Sequence, residues 1–168
     1  MTATSLRRRG GWKPVLAAAG AALLVAVLGG AATDIGPWYQ SLQKPAWQPP
    51  DWLFGPAWTL IFGLTALAGV RAWARAPDAA ARGRLLSAYA LNALLNILWS
   101  VLFFTVKRPD WALVEVVSLW LSIALLIVLS GRRDRVAGWL LVPYLIWVGF
   151  AGVLNWSVVR LNEPFSGP

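Results

Sequence analysis

Polar side chains recur at helical spacing within an apolar stretch in the middle of the chain. Asn92, Asn96 and Ser100 follow one another at intervals of four residues, so a helix places all three on one face. Trp99 and Phe103 continue the same stripe. Polar side chains inside a membrane are costly and tend to face a bundle interior or a cavity. The stripe therefore predicts an inward face, whose amides either hydrogen-bond neighbouring helices or bind a ligand.

Aromatic side chains belong to two further stripes of this kind. One consists of Trp58, Phe62 and Thr65, and the other of Pro143, Trp147, Ala151, Leu154 and Asn155. The chain holds 12 tryptophans, and most fall near predicted membrane boundaries, where indoles commonly collect. Because a buried indole N–H finds no acceptor in lipid, we expect the deeper tryptophans to point inward. These are Trp58, Trp99, Trp120 and Trp147.

The residue inventory excludes several kinds of site. The chain has no Cys and no His, and its single Met is the first residue. It therefore cannot build a disulfide framework, a Cys/His zinc site, a Ser–His–Asp triad or a His-ligated haem. Iron ligation would fall to Tyr39, Tyr89 or Tyr144, and we expect neither a metal site nor a required cofactor.

One acidic residue, Glu115, falls inside a predicted membrane span. In the first turns of its helix, near the interface, a carboxylate complements the positive end of the helix dipole. A proton relay is the alternative, and it would need a second partner.

The composition predicts a membrane protein. Of 168 residues, 58% are hydrophobic and 13% are charged, with a mean hydropathy of +0.61, whereas roughly 25% of a soluble domain is charged. A bilayer core about 30 Å thick is crossed by about 20 apolar residues in a helix. Apolar runs of this kind lie at about 14–33, 52–75, 85–106, 111–130 and 136–160. We therefore predict an all-α integral membrane protein, a single domain over residues 1–168 with a bundle of five transmembrane helices.

Three features qualify these spans. The first span follows three arginines and ends in small residues, so it also has the pattern of a secretory signal peptide. Loop 34–51 contains four prolines interleaved with Trp38, Tyr39 and Trp47, and it should be stiff and largely extended. It forms either a lid over the bundle or an interfacial aromatic belt. Pro143 falls inside the fifth span and should kink its helix.

Basic residues are unevenly distributed between the two ends of the predicted bundle. Eleven of the 15 Lys and Arg residues lie at the end that holds the N-terminus, and four lie at the other end. The positive-inside rule then places the N-terminus in the cytoplasm and the C-terminus outside. Because these charges are spread over short loops next to lipid, we expect no nucleic-acid binding.

Three blocks of sequence carry a resemblance to a known family. The first consists of Trp38-Tyr39, residues 44–50 (KPAWQPP) and residues 54–59 (FGPAWT). The second consists of Leu91-Asn92, Asn96 and Trp99. The third consists of residues 143–147 (PYLIW), Ala151, Leu154-Asn155 and residues 160–162 (RLN). In this order, over about residues 38–162, the blocks resemble the TspO/MBR family, also called translocator protein, peripheral benzodiazepine receptor or tryptophan-rich sensory protein.

The resemblance implies a five-helix bundle in a bacterial inner membrane, usually a homodimer, with a ligand pocket beneath the first loop. Members of the family bind porphyrins such as protoporphyrin IX, and isoquinoline carboxamide and benzodiazepine drugs. Carried over by position, Trp58 and Asn96 would hydrogen-bond the ligand, and Asn92 shares the stripe of Asn96. The implied lining consists of Tyr39, Pro49, Phe62, Trp99, Ser100, Trp147 and Ala151.

The implied function is that of a membrane receptor, carrier or sensor for porphyrins and related planar hydrophobic ligands. Because the chain lacks His, Cys and an internal Met, we expect the ligand to be held by stacking and amide contacts, with iron dispensable. Two alternatives stay open. One is light- and oxygen-dependent degradation of the porphyrin, with Trp58 and Trp147 next to the ring, and the other is a regulatory membrane interaction protein. The cholesterol-recognition pattern of the family needs a Tyr where this chain has Trp156 before Arg160, which argues against sterol binding.

Overall fold

The fold is a bundle of five long antiparallel helices, seen in a computed structural model that describes residues 12–165. All five are long and apolar enough to cross a membrane, and no strand occurs in the described range. The long helices are α1 (Trp12–Ala32), α3 (Phe54–Ala74), α4 (Ala79–Ser100), α5 (Pro109–Gly131) and α7 (Val142–Asn162). The shorter elements are α2 (Pro37–Ser41), a 3₁₀ turn (Asp51–Leu53), a π-helical turn (Val101–Thr105) and α6 (Arg135–Leu140). The predicted helical membrane bundle is confirmed.

The third long helix begins at Ala79, earlier than the charge-free run that starts at Leu85. Asp78 caps this helix, because its carboxylate accepts a hydrogen bond of 2.6 Å from the Ala81 amide. Arg82 lies in the first turns, where a long basic side chain can reach the lipid headgroups. Absence of charge therefore marks the lipid-embedded part of the helix and not its start.

The fifth span consists of two helices instead of one. α6 ends at Leu140 and α7 begins at Val142, so the helix is interrupted two residues before Pro143. Proline is tolerated in the first turn of a helix, where its missing N–H would have no intrahelical acceptor. The irregularity is confined to Leu141, whose backbone stays in the right-handed helical region and accepts a hydrogen bond from the Leu145 amide at 3.2 Å.

The helices divide into a tightly packed core and a peripheral wall. α5 packs against α4, α6 and α7, and it supplies the fully buried side chains of Ile123 and Leu126. The end of the bundle where α1 begins is called the lower end. There, an added Cβ at Gly138 would lie 3.0 Å from the Gly131 Cα, so the backbones of α5 and α6 are in contact. α1 packs only against α3, α4 and the π-helical turn, and none of its residues is buried. α1 is therefore the outer wall of the bundle.

The Trp120 side chain lies on the outside of the bundle. Trp120 is 38% exposed and lies against Gly149 in an outer groove between α5 and α7, because the missing glycine side chain leaves room for the indole there. The inward orientation expected for Trp120 is therefore wrong.

Glu115 is 8% exposed, and its carboxylate has no hydrogen-bond partner among residues 12–165. Its side chain lies inside the bundle in the second turn of α5, the part of the helix for which the dipole interpretation was made.

Asp134 ties the lower end of the bundle together. Its buried carboxylate accepts a hydrogen bond from the Arg71 Nε at 2.8 Å and pairs with the Arg75 guanidinium. It also caps α6 by accepting the Val136 amide at 3.0 Å. Burial by itself would raise the pKa of Asp134, but the hydrogen bonds from Arg71 and Val136 and the two arginine charges outweigh burial and lower it. One side chain thus joins the end of α3 to the turn between α5 and α6.

Replacing Asp134 by Ala should lower the free energy of unfolding by about 2 kcal/mol, since hydrogen bonds to a charged group and a helix cap are lost together. Asp78→Ala is the matched control, because it removes a helix cap without an arginine pair and should have an effect of about 1 kcal/mol. Thermal unfolding of the detergent-solubilised protein, followed by circular dichroism, measures both. Equal destabilisation by the two variants would contradict the assigned role of the arginine pairs.

The same contact predicts a pH dependence. Because folding lowers the pKa of Asp134, its contribution is present above the unfolded-state pKa of about 3.9 and is lost as the pH falls through the native pKa. The stability difference between wild type and Asp134→Ala should therefore be constant at neutral pH and shrink in acid.

Candidate ligand-binding site

Two chambers lie between the helices, one in each half of the bundle. The upper chamber has a volume of about 420 Å³ and lies beneath the loop that joins α1 to α3. Its walls come from α1, α3, α4, the π-helical turn and α7. The lower chamber has a volume of about 590 Å³ and lies mainly between α1, α3 and α4. Val25, Phe62 and Asn96 line both chambers and therefore form the partition between them.

The upper chamber brings together eight of the ten ligand-binding residues that the sequence and the resemblance predicted. They are Tyr39, Trp58, Phe62, Asn96, Trp99, Ser100, Trp147 and Ala151. Asn92 lines the lower chamber instead, and Pro49 lines neither chamber. The loop reaches the upper chamber through Gln48 and Asp51, on either side of Pro49 and Pro50, so Pro49 shapes the loop without joining the wall.

The asparagine stripe forms a chain of hydrogen bonds through the centre of the bundle. Asn96 Nδ2 donates to the Tyr144 hydroxyl at 3.2 Å, and that hydroxyl donates to Asn92 Oδ1 at 3.3 Å. Asn92 Nδ2 then donates to Ser122 Oγ at 2.9 Å, and this hydroxyl donates to the Leu119 carbonyl at 2.7 Å. Asn92 is thus an interhelical contact. Asn96 joins the same chain while facing both chambers.

Several polar atoms around the upper chamber have no partner in the protein. The indole nitrogens of Trp99 and Trp147 and the Oδ1 of Asn155 are buried without a hydrogen bond in the part of the chain that the structure describes. A buried polar group without a partner typically costs about 1–3 kcal/mol. Because these atoms have almost no exposed surface, a guest in the chamber would reach them only after the side chains that cover them had moved.

Asn155 extends the predicted set of residues. It is 1% exposed, lines the upper chamber and anchors its Nδ2 on the Pro109 carbonyl at 2.9 Å. In the sequence, Asn155 belongs to the same helical stripe as Trp147 and Ala151, which were predicted to line the pocket. An amide side chain on that stripe was the feature that could have identified Asn155. Phe54, Gln48 and Asp51 also line the chamber, and no periodic pattern marks them.

Aromatic rings form flat walls on two sides of the upper chamber. Trp58 stacks on Phe62 with their centroids 5.3 Å apart and an interplanar angle of 28°. The Trp58 ring also packs against Tyr144 in a T-shaped arrangement, with their centroids 6.1 Å apart. On α7, Trp147 meets Phe54 edge to face at 5.7 Å. The walls are therefore largely aromatic, a composition that favours stacking with a flat apolar guest.

The π-helical turn brings two consecutive phenylalanines to the roof of the chamber. Phe103 packs against Trp38 with centroids 6.3 Å apart, and Phe104 packs against Tyr39 at 5.6 Å. In a regular α-helix, adjacent residues point in directions about 100° apart. The wider π turn lets both rings line the chamber, which is a use of π-bulges often found at functional sites.

The loop is held over the chamber by a polar cluster. The Tyr39 hydroxyl donates to Asp51 Oδ1 at 3.1 Å, and Gln48 Nε2 donates to both groups at 3.2 Å. Burial, together with the nearby Asp51 carboxylate, raises the pKa of Tyr39 to about 12. The hydroxyl therefore keeps its proton at neutral pH and remains a donor to Asp51.

A second attachment joins the loop to the end of α7. Asn162 accepts the Gln43 amide at 2.8 Å and donates to the Gln43 carbonyl at 2.8 Å, a paired contact between distant parts of the chain. Trp47 also packs against Phe150 of α7, with centroids 5.8 Å apart. Of the two interpretations of the loop, these contacts favour the lid. The loop is not extended throughout, because residues Pro37–Ser41 form α2.

The chain is similar in sequence to known proteins over most of its length. Residues 17–161 match the model of the TspO/MBR family. The chain is 42% identical over 127 residues to the tryptophan-rich protein TspO of Chlorobaculum tepidum, covering 74% of this chain and 79% of that protein. It is 39% identical to protein CrtK of Rhodobacter capsulatus, covering 79% and 83%. It is 31% identical to the human translocator protein, covering 77% and 78%.

Replacing Asn162 by Ala should loosen the lid, because both of its hydrogen bonds to the Gln43 backbone are lost. We expect faster amide hydrogen exchange in residues 37–51 with little change in the long helices, measured by mass spectrometry of peptic fragments. Ser157→Ala is the matched control, since that hydroxyl bonds only to the Val153 carbonyl of its own helix. Unchanged exchange in the lid of the Asn162 variant would show that this contact does not hold the loop.

Proposed function

Because the chain belongs to the TspO/MBR family of membrane proteins, we propose that it is a receptor, carrier or sensor that binds a porphyrin of the protoporphyrin IX type. The upper chamber is the proposed site. One observation carries the proposal: the aromatic side chains of Trp58 and Trp147 and the amide of Asn96 line a single cavity beneath the loop. Its volume of about 420 Å³ falls within the range of roughly 300–1,000 Å³ typical of small-molecule sites.

The chemistry of a porphyrin matches this wall. The macrocycle is flat and largely apolar, so it can stack on indole and phenyl faces. Its carboxylates lie at the edge of the macrocycle, where they can accept the second amide hydrogen of Asn96. The ring nitrogens face the centre of the macrocycle, so they take no part in bonds to the wall. The match therefore consists of stacking on the aromatic side chains and a bond from a carboxylate to this amide.

The ligand is proposed to bind without iron. Tyr is the remaining candidate for axial ligation, and each of the three tyrosine hydroxyls already has a hydrogen-bond partner. Tyr39 bonds to Asp51, Tyr144 bonds to Asn92, and Tyr89 lies 3.1 Å from the Ser130 hydroxyl. Ligation of iron by any of them would disrupt these contacts.

Orientation follows from the charges at the two ends of the bundle. In the described residues the lower end, where α1 begins, carries eight Lys and Arg residues against two acidic ones, and the upper end carries four of each. The proposed orientation therefore places the lower end in the cytoplasm and the lid on the outer face of a bacterial inner membrane. The porphyrin would then reach the chamber from the outer side or from the outer leaflet.

Titration of the purified protein with protoporphyrin IX in the dark tests the proposed site. Ala151→Phe fills the upper chamber, and we expect at least about tenfold weaker binding, because the extra ring overlaps the guest. Val153→Phe, whose site is 56% exposed on the outer face of α7, should bind as wild type does. Quenching of tryptophan fluorescence measures the affinity. Equal affinity of the two variants would place the porphyrin elsewhere, and a strong preference for haem would refute iron-free binding.

A second candidate function is light- and oxygen-dependent degradation of the bound porphyrin. The observation that favours it is that two oxidisable indoles, Trp58 and Trp147, line the same chamber. Trp58→Phe keeps a flat ring but removes the indole, so degradation in light should fall while binding in the dark persists. Absorption spectra recorded under illumination in air measure the loss of porphyrin. If the variant degrades the porphyrin at the wild-type rate, Trp58 takes no part in the reaction.

A further inference from the structure

The lower chamber is a separate cavity whose shape differs from that of the upper one. On the α1 side its wall is made almost entirely of methyl groups, from Ala17, Ala18, Ala21 and Ala22. Opposite them lie α3 and α4, with Gly69 and Leu86 among the lining residues. Two of its polar side chains, Tyr89 and Asn92, are already bonded to serines of α5. The interior thus offers an apolar slot between three helices.

The length of this slot matches one leaflet of a bilayer. It is lined from Lys13, in the first turn of α1, up to Val25. At 1.5 Å per residue these positions lie about 18 Å apart along the helix. One leaflet of the hydrocarbon core is about 15 Å thick. A guest filling the slot would therefore span the same depth as the acyl chain of a lipid.

The mouth of the slot is basic. Lys13 lines it, and Trp73 on the opposite wall carries the Arg82 guanidinium 5.5 Å from its ring centroid. Arg82 Nε is buried without a hydrogen-bond acceptor within residues 12–165, and neither basic residue forms an ion pair there. Of the two acids at this end, Asp134 is already paired with Arg71 and Arg75. The other acid, Asp78, caps α4 through the Ala81 amide and forms no ion pair with either residue. An anionic group at the mouth would therefore meet Lys13 in the chamber wall and Arg82 directly behind Trp73.

We propose that the lower chamber is a binding site for one acyl chain of an anionic phospholipid, whose phosphate lies at Lys13 and Arg82. Phosphatidylglycerol has the required chemistry, a single negative charge above long acyl chains. α1 has no buried residue, so a chain can enter sideways from the leaflet between α1 and its neighbours. The filled slot would add apolar contacts to the alanine face of α1, which α3 and α4 cover only in part. This site is independent of the porphyrin proposal, because it uses the other chamber.

Native mass spectrometry of the full chain in detergent, titrated separately with phosphatidylglycerol and phosphatidylcholine, tests the site. We expect one tightly retained phosphatidylglycerol and weaker retention of phosphatidylcholine. Lys13→Gln should weaken the binding of phosphatidylglycerol about fivefold, which is the effect of one basic residue near an anionic headgroup. It should leave the binding of phosphatidylcholine unchanged. Arg160→Gln, at the opposite end of the bundle, is the charge-matched control and should change neither affinity.

The slot itself is tested by filling it. Ala18→Phe places a ring in the chamber, whereas Ala19→Phe places the same ring on the exposed face of α1. The first variant should lose the retained lipid and the second should keep it. Gly69→Val fills the slot from α3, where an added Cβ meets Tyr89 at an ordinary 3.5 Å, and it should repeat the loss if Ala18→Phe does not fold.

Three results would overturn the proposal. Equal retention of the two phospholipids would show that the site does not recognise the negative charge of the headgroup. Wild-type retention in Ala18→Phe or in Gly69→Val would place the lipid outside the slot. Competition between protoporphyrin IX and phosphatidylglycerol, with protoporphyrin binding also lost in Ala18→Phe, would assign the lower chamber to the porphyrin. Loss of protoporphyrin binding in Ala151→Phe alone bears on the upper chamber and leaves the lipid site standing.

Discussion

The hydrogen-bond chain from Asn96 through Tyr144 and Asn92 to Ser122 is the interaction on which the rest of the bundle depends. Polar groups in a membrane find few partners outside the protein, so these side chains fix how α4, α5 and α7 are rotated against one another. Once their polar faces meet at the centre, α1 and α3 have only the remaining sides to cover. Their small residues and aromatic rings leave space rather than fill it, and the two chambers result.

The two ends of the bundle are closed by different physical means. At the upper end, neutral hydrogen bonds and aromatic packing hold the lid, with Asn162 and Tyr39 as its main attachments. At the lower end, the buried carboxylate of Asp134 gathers two arginines and a helix cap. Ion pairs suit an end rich in basic residues, while a lid above a binding site benefits from weaker contacts that can open. The end closed by ion pairs is therefore the one opposite the candidate porphyrin site.

The sequence predicted the parts of this architecture that follow from solubility in lipid. Five apolar runs had to be five helices, and the Asn92–Asn96–Ser100 stripe had to face inward, because no other arrangement pairs those groups. Features that depend on packing between segments far apart in the sequence were not predictable. The π turn that turns Phe104 to the roof, the room beside Gly149 that receives Trp120, and the burial of Glu115 each arise from contacts between distant segments. Helical periodicity carries no information about such contacts.

The partition between the chambers gives the bundle a property that neither cavity has alone. Phe62 lines both chambers and stacks on Trp58, and Asn96 lines both and belongs to the central hydrogen-bond chain. Each of these two side chains is thus already held by a contact within the protein, Phe62 by the Trp58 ring and Asn96 by the Tyr144 hydroxyl. Because both contacts fix side chains of the shared wall in a close-packed interior, the bundle encloses two separate sites and not one continuous cavity.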